Sequence, residues 1–121
     1  MYHRNKIIPL VKPGEIGRFY YDAKKDLAAH DAVQNKIFYL VNNAAGEKVT
    51  FDHVLSKVDT KYQTKFQEMA LSTSSESKIE TAPFLLTNGL MVVDFYNKFL
   101  DEDGKLDYII GATQVIKNLA I

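Results

Sequence analysis

The sequence contains no cysteine and no tryptophan, and only three of its 121 residues are proline. Without cysteine no disulfide can form, so the chain is not a small secreted fold held together by disulfides, and we expect it in the reducing cytoplasm. No apolar run approaches the length of a membrane span. The apolar stretch after the basic N-terminus is also too short for a signal peptide.

Motifs for catalysis and metal binding are absent as well. The three histidines have neither the spacing nor the accompanying cysteines of a zinc or di-iron site. No glycine-rich phosphate loop, nucleophile elbow or dinucleotide fingerprint is present. Residues 101–108 resemble part of an EF-hand loop, but Phe99 and Ile110 occupy its first and last ligand positions, which argues against calcium. We therefore expect no enzymatic activity, no cofactor and no metal.

The composition is that of one globular domain. Hydrophobic residues make up 46% and charged residues 25% of the chain, enough for one core and typical of a folded surface. We expect residues 1–121 to form a single domain, with an extended arm over residues 1–14 and a mobile polar loop over residues 72–78. The formal net charge is zero, which argues against obligatory binding to nucleic acid.

The spacing of apolar residues predicts a mainly α fold. A helix is expected from about Lys24 to Asn42, although residues 37–41 also read as a short buried strand. Apolar residues recur every three or four positions over residues 50–71, where Thr50 is a plausible N-cap and residues 58–60 divide the helix in two. Another helix is expected from Leu106. Together these segments predict a small bundle of about four helices with an extended N-terminal arm.

The segment 78–100 leaves an alternative fold open. It reads either as a helix capped by Thr81 or as a hairpin centred on Asn88-Gly89, the sequence typical of a tight β-turn. With a hairpin there, the order of elements is similar to that of a winged helix, an α+β fold. That resemblance implies a DNA-binding helix over residues 60–71. Its groove-facing residues would be Lys61, Gln63, Thr64, Lys65 and Gln67.

The sequence also contains a basic aromatic segment. Phe19, Tyr20 and Tyr21 are consecutive and are flanked by Arg18 and Lys24, a combination that suits a partner-binding surface. We therefore predict a non-enzymatic protein-interaction or assembly module that binds a protein partner or a second copy of itself, and no membrane. The alternative is a DNA-binding, winged-helix-like regulator that uses the helix at residues 60–71.

Overall fold

The computed structural model describes residues 11–40, 43–73 and 78–120. These residues form seven strands and three short helices. The strands are β1 (Ile16–Asp22), β2 (Leu27–His30), β3 (Lys48–Val49), β4 (Ile79–Glu80), β5 (Phe84–Leu85), β6 (Leu90–Leu100) and β7 (Leu106–Asn118). The helices are α1 (Ala32–Ile37), α2 (Phe51–Leu55) and α3 (Thr60–Leu71). The strands form one antiparallel sheet in the order β3-β2-β1-β7-β6-β4, with β5 also paired to β6.

The prediction of a mainly helical bundle is wrong. The expected helix from Leu106 is the long strand β7, which pairs with β1 on one side and β6 on the other. Ile109 and Val115 are buried in the core, whereas Ile110 and Ile116 are exposed on the opposite face. This two-residue alternation, together with long-range pairing, overrides the helical reading of the segment.

The helix predicted from Lys24 to Asn42 is also mostly wrong. The chain turns at Asp26, which has a positive φ of 53°, and continues as β2. A helix begins only after Asp31, whose carboxylate accepts a hydrogen bond from the backbone N–H of Gln34, and it is six residues long. As far as Leu40, the predicted helix is therefore divided between a strand, a short helix and the turn after it, and residues 41–42 lie outside the described residues.

Several local predictions are confirmed. Thr50 caps α2, and its hydroxyl accepts from the backbone N–H of His53. The chain breaks between α2 and α3, with Asp59 capping the second helix. The hairpin centred on Asn88-Gly89 joins β5 to β6, and Gly89 has the positive φ of 95° that this turn needs.

The winged-helix alternative is wrong even though this hairpin is present. In a winged helix the hairpin is an appendage beside the recognition helix, whereas β6 here runs through eleven residues in the body of the sheet. The acidic turn at residues 101–104 joins the two strands β6 and β7. The predicted arm and polar loop lie largely outside the described residues, so the domain boundaries stay predictions.

The core lies between the helices and one face of the sheet. Along β1 the side chains alternate, so that Phe19 and Tyr21 face this inner side whereas Ile16 and Tyr20 face outward. Helix α1 packs directly on the backbone of this strand at Gly17. A Cβ atom there would lie only 2.6 Å from the Cα of Gln34. Glycine is therefore what allows the helix to approach the sheet so closely.

Candidate functional site

A cavity of about 270 Å³ lies inside the domain, between the inner face of the sheet and the helices. All three helices and the central strands contribute to its wall. Most of the lining is apolar, and much of it is aromatic. An engineered cavity of about 150 Å³ suffices to hold benzene. This cavity therefore has room for a compact molecule with one or two rings.

Aromatic rings from several elements form a continuous wall of the cavity. The ring centroids of Tyr21 and Phe51 are 5.6 Å apart, those of Phe51 and Phe66 are 5.8 Å apart, and those of Phe66 and Phe84 are 5.2 Å apart. These spacings are typical of interacting aromatic pairs. The wall thus joins β1, α2, α3 and β5 around one space.

Asp26 connects the wall to the turn after β1. One of its carboxylate oxygens accepts from the Tyr21 hydroxyl at 2.7 Å and from the backbone N–H of Phe51 at 3.1 Å. Burial and this carboxylate raise the pKa of Tyr21 well above its usual value. Tyr21 therefore stays protonated and keeps its ring oriented along the cavity wall.

A buried polar chain crosses the cavity floor. The side-chain amide of Gln34 donates to the Thr113 hydroxyl at 2.7 Å, and that hydroxyl donates to Asp94 at 2.6 Å. The backbone of Asp94 is paired with Thr81, whose hydroxyl accepts from the Asp94 N–H at 2.9 Å. Asp94 itself is only 4% exposed, and burial raises its pKa to about 7 despite the bond from Thr113.

His30 is a second buried titratable group on the cavity wall. It is 4% exposed and packs between Phe19 and Phe38, with ring centroids 6.5 and 6.0 Å away. Burial lowers its pKa to about 4, so the imidazole is neutral at physiological pH. Its Nδ1 atom is buried and finds no hydrogen-bond partner among the described residues. The cavity wall therefore contains a neutral polar group with unused hydrogen-bonding capacity.

The cavity opens between α3 and the segment before β5. Its exposed lining residues, Lys65, Ala82 and Pro83, lie there. None of the residues of α3 is fully buried. The ammonium of Lys98 on β6 holds the end of the helix, donating to the carbonyl of Met69, to the carbonyl of Ser72 at 3.0 Å and to its hydroxyl at 2.6 Å. Helix α3 is thus a lightly packed cover anchored at its C-terminus.

The structure does not bring the five predicted partner-binding residues together. Phe19 and Tyr21 line the cavity. Tyr20 is 41% exposed on the outer face of the sheet, where it stacks on Tyr108 at 5.7 Å. Arg18 is also exposed. Lys24 forms an ion pair with Asp101 in the turn between β6 and β7.

The residues predicted to contact nucleic acid all lie on α3. Lys61, Thr64 and Gln67 are exposed, and Lys65 is at the cavity mouth. Gln63 instead donates to backbone carbonyls of Leu55 and Val58, at 3.3 and 2.9 Å, and so ties α3 to α2. The described residues form an antiparallel sheet with α3 over the cavity, and not the winged-helix arrangement from which the DNA-binding role was predicted.

Sequence reasoning missed the polar chain of Gln34, Thr113 and Asp94. The signal for Asp94 is the alternation along β6, which places Leu90, Val92, Asp94 and Tyr96 on one face once the segment is read as a strand. Gln34 and Thr113 carry no such signal, because their partners are 79 and 19 residues away in the chain.

No family model and no curated protein sequence matches the chain. Solved structures nevertheless share its arrangement of elements. A sensory box histidine kinase/response regulator from Burkholderia thailandensis superposes with a TM-score of 0.65 at 7% identity, over 84% of this chain and 76% of that one. The N-terminal domain of a diguanylate cyclase with a PAS/PAC sensor, from Marinobacter aquaeolei, gives a TM-score of 0.60 at 12% identity, over 84% and 94%. The fold is PAS-like.

A third similar structure is that of an RNA-binding Light-Oxygen-Voltage receptor, with a TM-score of 0.61 at 13% identity. The match covers 84% of this chain but only 29% of the receptor. At such identities the likeness establishes the fold.

The predicted function is wrong in both of its forms. The DNA-binding alternative required a winged helix, and the sheet excludes that architecture. The interaction or assembly module was predicted from the lack of catalytic motifs and from the basic aromatic segment, whereas the names of the structurally similar proteins describe two sensory proteins and one receptor. Two further observations apply to the described residues alone. No helix in them is long and apolar enough to cross a membrane, and no group of three or more potential ligands is placed to hold a metal.

Proposed function

We propose that this chain is a sensor domain that binds a small, largely apolar molecule in its internal cavity. The observation that carries the proposal is the aromatic-walled cavity of about 270 Å³ beneath α3. Apolar walls with a few fixed polar groups are typical of small-molecule sites. The names of the structurally similar proteins, which describe sensors and a receptor, support the same reading.

The proposed role is regulatory and not catalytic. The polar groups that line the cavity include the neutral imidazole of His30 and the Asp94 carboxyl group, which are suited to fixing the orientation of a ligand. Binding would instead act through α3, which covers the cavity and packs on it with partly buried residues such as Tyr62 and Phe66. A bound molecule adds contacts to this cover and would change its position or mobility.

Filling the cavity should abolish binding. We expect indole, used as an apolar probe, to raise the thermal unfolding midpoint of the wild type, because a ligand at about 100 times its Kd stabilises by about 2.7 kcal/mol. Ala28 is buried in the cavity wall, so Ala28→Leu should remove most of this shift. The matched control is Ala45→Leu, which adds the same volume in an exposed turn that does not line the cavity. An indole shift that survives Ala28→Leu unchanged would contradict the proposal.

We propose that the domain associates with a second copy of itself through the outer face of the sheet. Ile16, Tyr20, Phe95, Phe99 and Ile110 are each more than one third exposed on three neighbouring strands. Single exposed apolar residues are ordinary, but a contiguous group of this kind marks an interaction surface. The formal net charge of zero means that two copies do not repel each other at long range.

A charge at the centre of this outer face should therefore dissociate the protein. Ile110 lies between Tyr20 and Asn97 and is 47% exposed. Because its side chain faces away from the core, Ile110→Lys should leave the fold intact while the mass measured by light scattering falls to that of a monomer. Thr87→Lys, in an exposed turn on another surface, is the control for the added charge. A monomeric wild type would overturn this prediction.

A further inference from the structure

Among the residues that the structure describes, the cavity combines an aromatic wall with one buried carboxyl group, that of Asp94. Asp94 lies on the inner face of β6 and lines the same space as Tyr96, Phe66 and Phe84. Within the described part of the chain, its carboxyl group accepts a hydrogen bond from the Thr113 hydroxyl. The ion pairs among the described residues, Lys24–Asp101 and Lys36–Glu15, both lie at the surface. Asp94 thus lacks a cationic partner within the described part of the chain.

When Asp94 is ionised, its charge has no cation to pair with among the described residues. An ionised carboxylate in an apolar, water-poor space is costly unless a cation pairs with it, and the usual response is uptake of a proton. Burial accordingly raises the pKa of Asp94 to about 7. The aromatic wall also favours a cationic ligand, because the quadrupole of an aromatic ring attracts cations, and quaternary ammonium groups in particular.

We infer that the ligand of the proposed sensor is an organic cation, an inference that rests on the proposed function. The ligand is a compact amine or quaternary ammonium compound. Its charge pairs with Asp94, and its apolar part contacts the aromatic wall. The polar chain from Gln34 through Thr113 holds the carboxylate in place. The cavity volume of about 270 Å³ is large enough for one ring with a small substituted nitrogen.

The other titratable groups around the cavity do not compete for this role. His30 on β2 is neutral above its lowered pKa of about 4. The pKa values of Tyr21 on β1 and Tyr96 on β6 are raised, the latter to about 12, so both tyrosines stay protonated. Tyr62 and Lys65 reach the cavity from α3, but Lys65 is exposed at the mouth, where water screens its charge.

The inference is tested with phenyltrimethylammonium and its neutral isostere tert-butylbenzene in calorimetric titrations. We expect the cation to bind at least tenfold more tightly than the isostere at pH 8. Asp94→Asn, which keeps the bond from Thr113, should remove this preference without weakening the isostere. Since a cation binds the ionised carboxylate, its affinity should also rise roughly thirty-fold between about pH 5.5 and about pH 8.5. Lys105→Ala, which removes an exposed charge from the turn between β6 and β7, away from the cavity lining, should leave the preference in place.

The outcomes separate this inference from the proposed function. If the isostere binds as tightly as the cation, or if the cation preference survives Asp94→Asn, the cavity is a ligand site but the cation inference is wrong. If neither compound binds the wild type and indole also fails to bind, both the proposed sensor function and the cation inference are wrong. Binding of the cation with loss of preference in Asp94→Asn supports both.

Discussion

Asp94→Asn should make the protein more stable above neutral pH. The pKa of Asp94 is about 7 in the folded protein and 3.8 in the reference state, so the folded state holds this proton more tightly. The stabilisation from Asp94 is therefore complete below about pH 4 and is lost as the pH rises through about 7. Asparagine stays neutral throughout, so the advantage of the variant should grow by about 4 kcal/mol between about pH 4 and about pH 8.

His30 should contribute a pH dependence of opposite sign. Its pKa falls from 6.5 in the reference state to about 4 in the folded protein, so its stabilisation is present above about pH 6.5 and is lost as the pH falls through about 4. The expected size is about 3 kcal/mol. Between about pH 4 and about pH 6.5 the contributions of the two residues therefore nearly cancel in the wild type.

Urea unfolding at several pH values, followed by circular dichroism because the chain has no tryptophan, measures both contributions. Asp94→Asn should become steadily more stable from pH 4 to pH 6.5, since only the His30 contribution remains. His30→Gln should instead lose stability from pH 4 to pH 7. Profiles of the two variants that run parallel to the wild type would show that neither residue titrates with the shifted pKa.

The sequence predicted local turns and caps better than the fold. Thr50, the break before Thr60 and the Asn88-Gly89 turn are each determined by a side chain and the few backbone groups beside it, so residue identity is sufficient. The segment from Leu106 is different. Its paired isoleucines fit a helical face and a two-residue alternation about equally well, and only pairing with β1 and β6 decides for the strand.

The candidate site could not be predicted from the sequence either, because it also depends on contacts between residues far apart in the chain. The sequence predicts Phe19 and Tyr21 as partner-binding residues, but the alternation of side chains along β1 directs both of them toward the cavity. No sequence motif marks Asp94, because a lone aspartate in an apolar segment fits neither a catalytic nor a metal-binding pattern. Its importance comes from residues far away in the chain: Thr113 and the aromatic rings of α2 and α3 surround it only after the sheet has formed.

Gly17→Ala should be among the most destabilising single substitutions in the chain. The added Cβ would lie 2.4 Å from the side-chain Oε1 of Gln34 and 2.6 Å from its backbone N and Cα. Relief requires α1 to move away from β1. Because Gln34 starts the polar chain to Asp94, that movement would also disturb the cavity. We expect a loss of about 3 kcal/mol or more in the free energy of unfolding.

Two comparisons show whether the close approach of the helix is the cause. Arg18→Ala changes the next residue of β1 on the exposed face, so it should alter stability by less than about 0.5 kcal/mol. Combining Gly17→Ala with Gln34→Ala removes the clash with Oε1 but not the two with the backbone of α1. The double variant should therefore stay as unstable as Gly17→Ala or become less stable. Recovery of wild-type stability would mean that the side chain of Gln34, and not the backbone of the helix, requires glycine at this position.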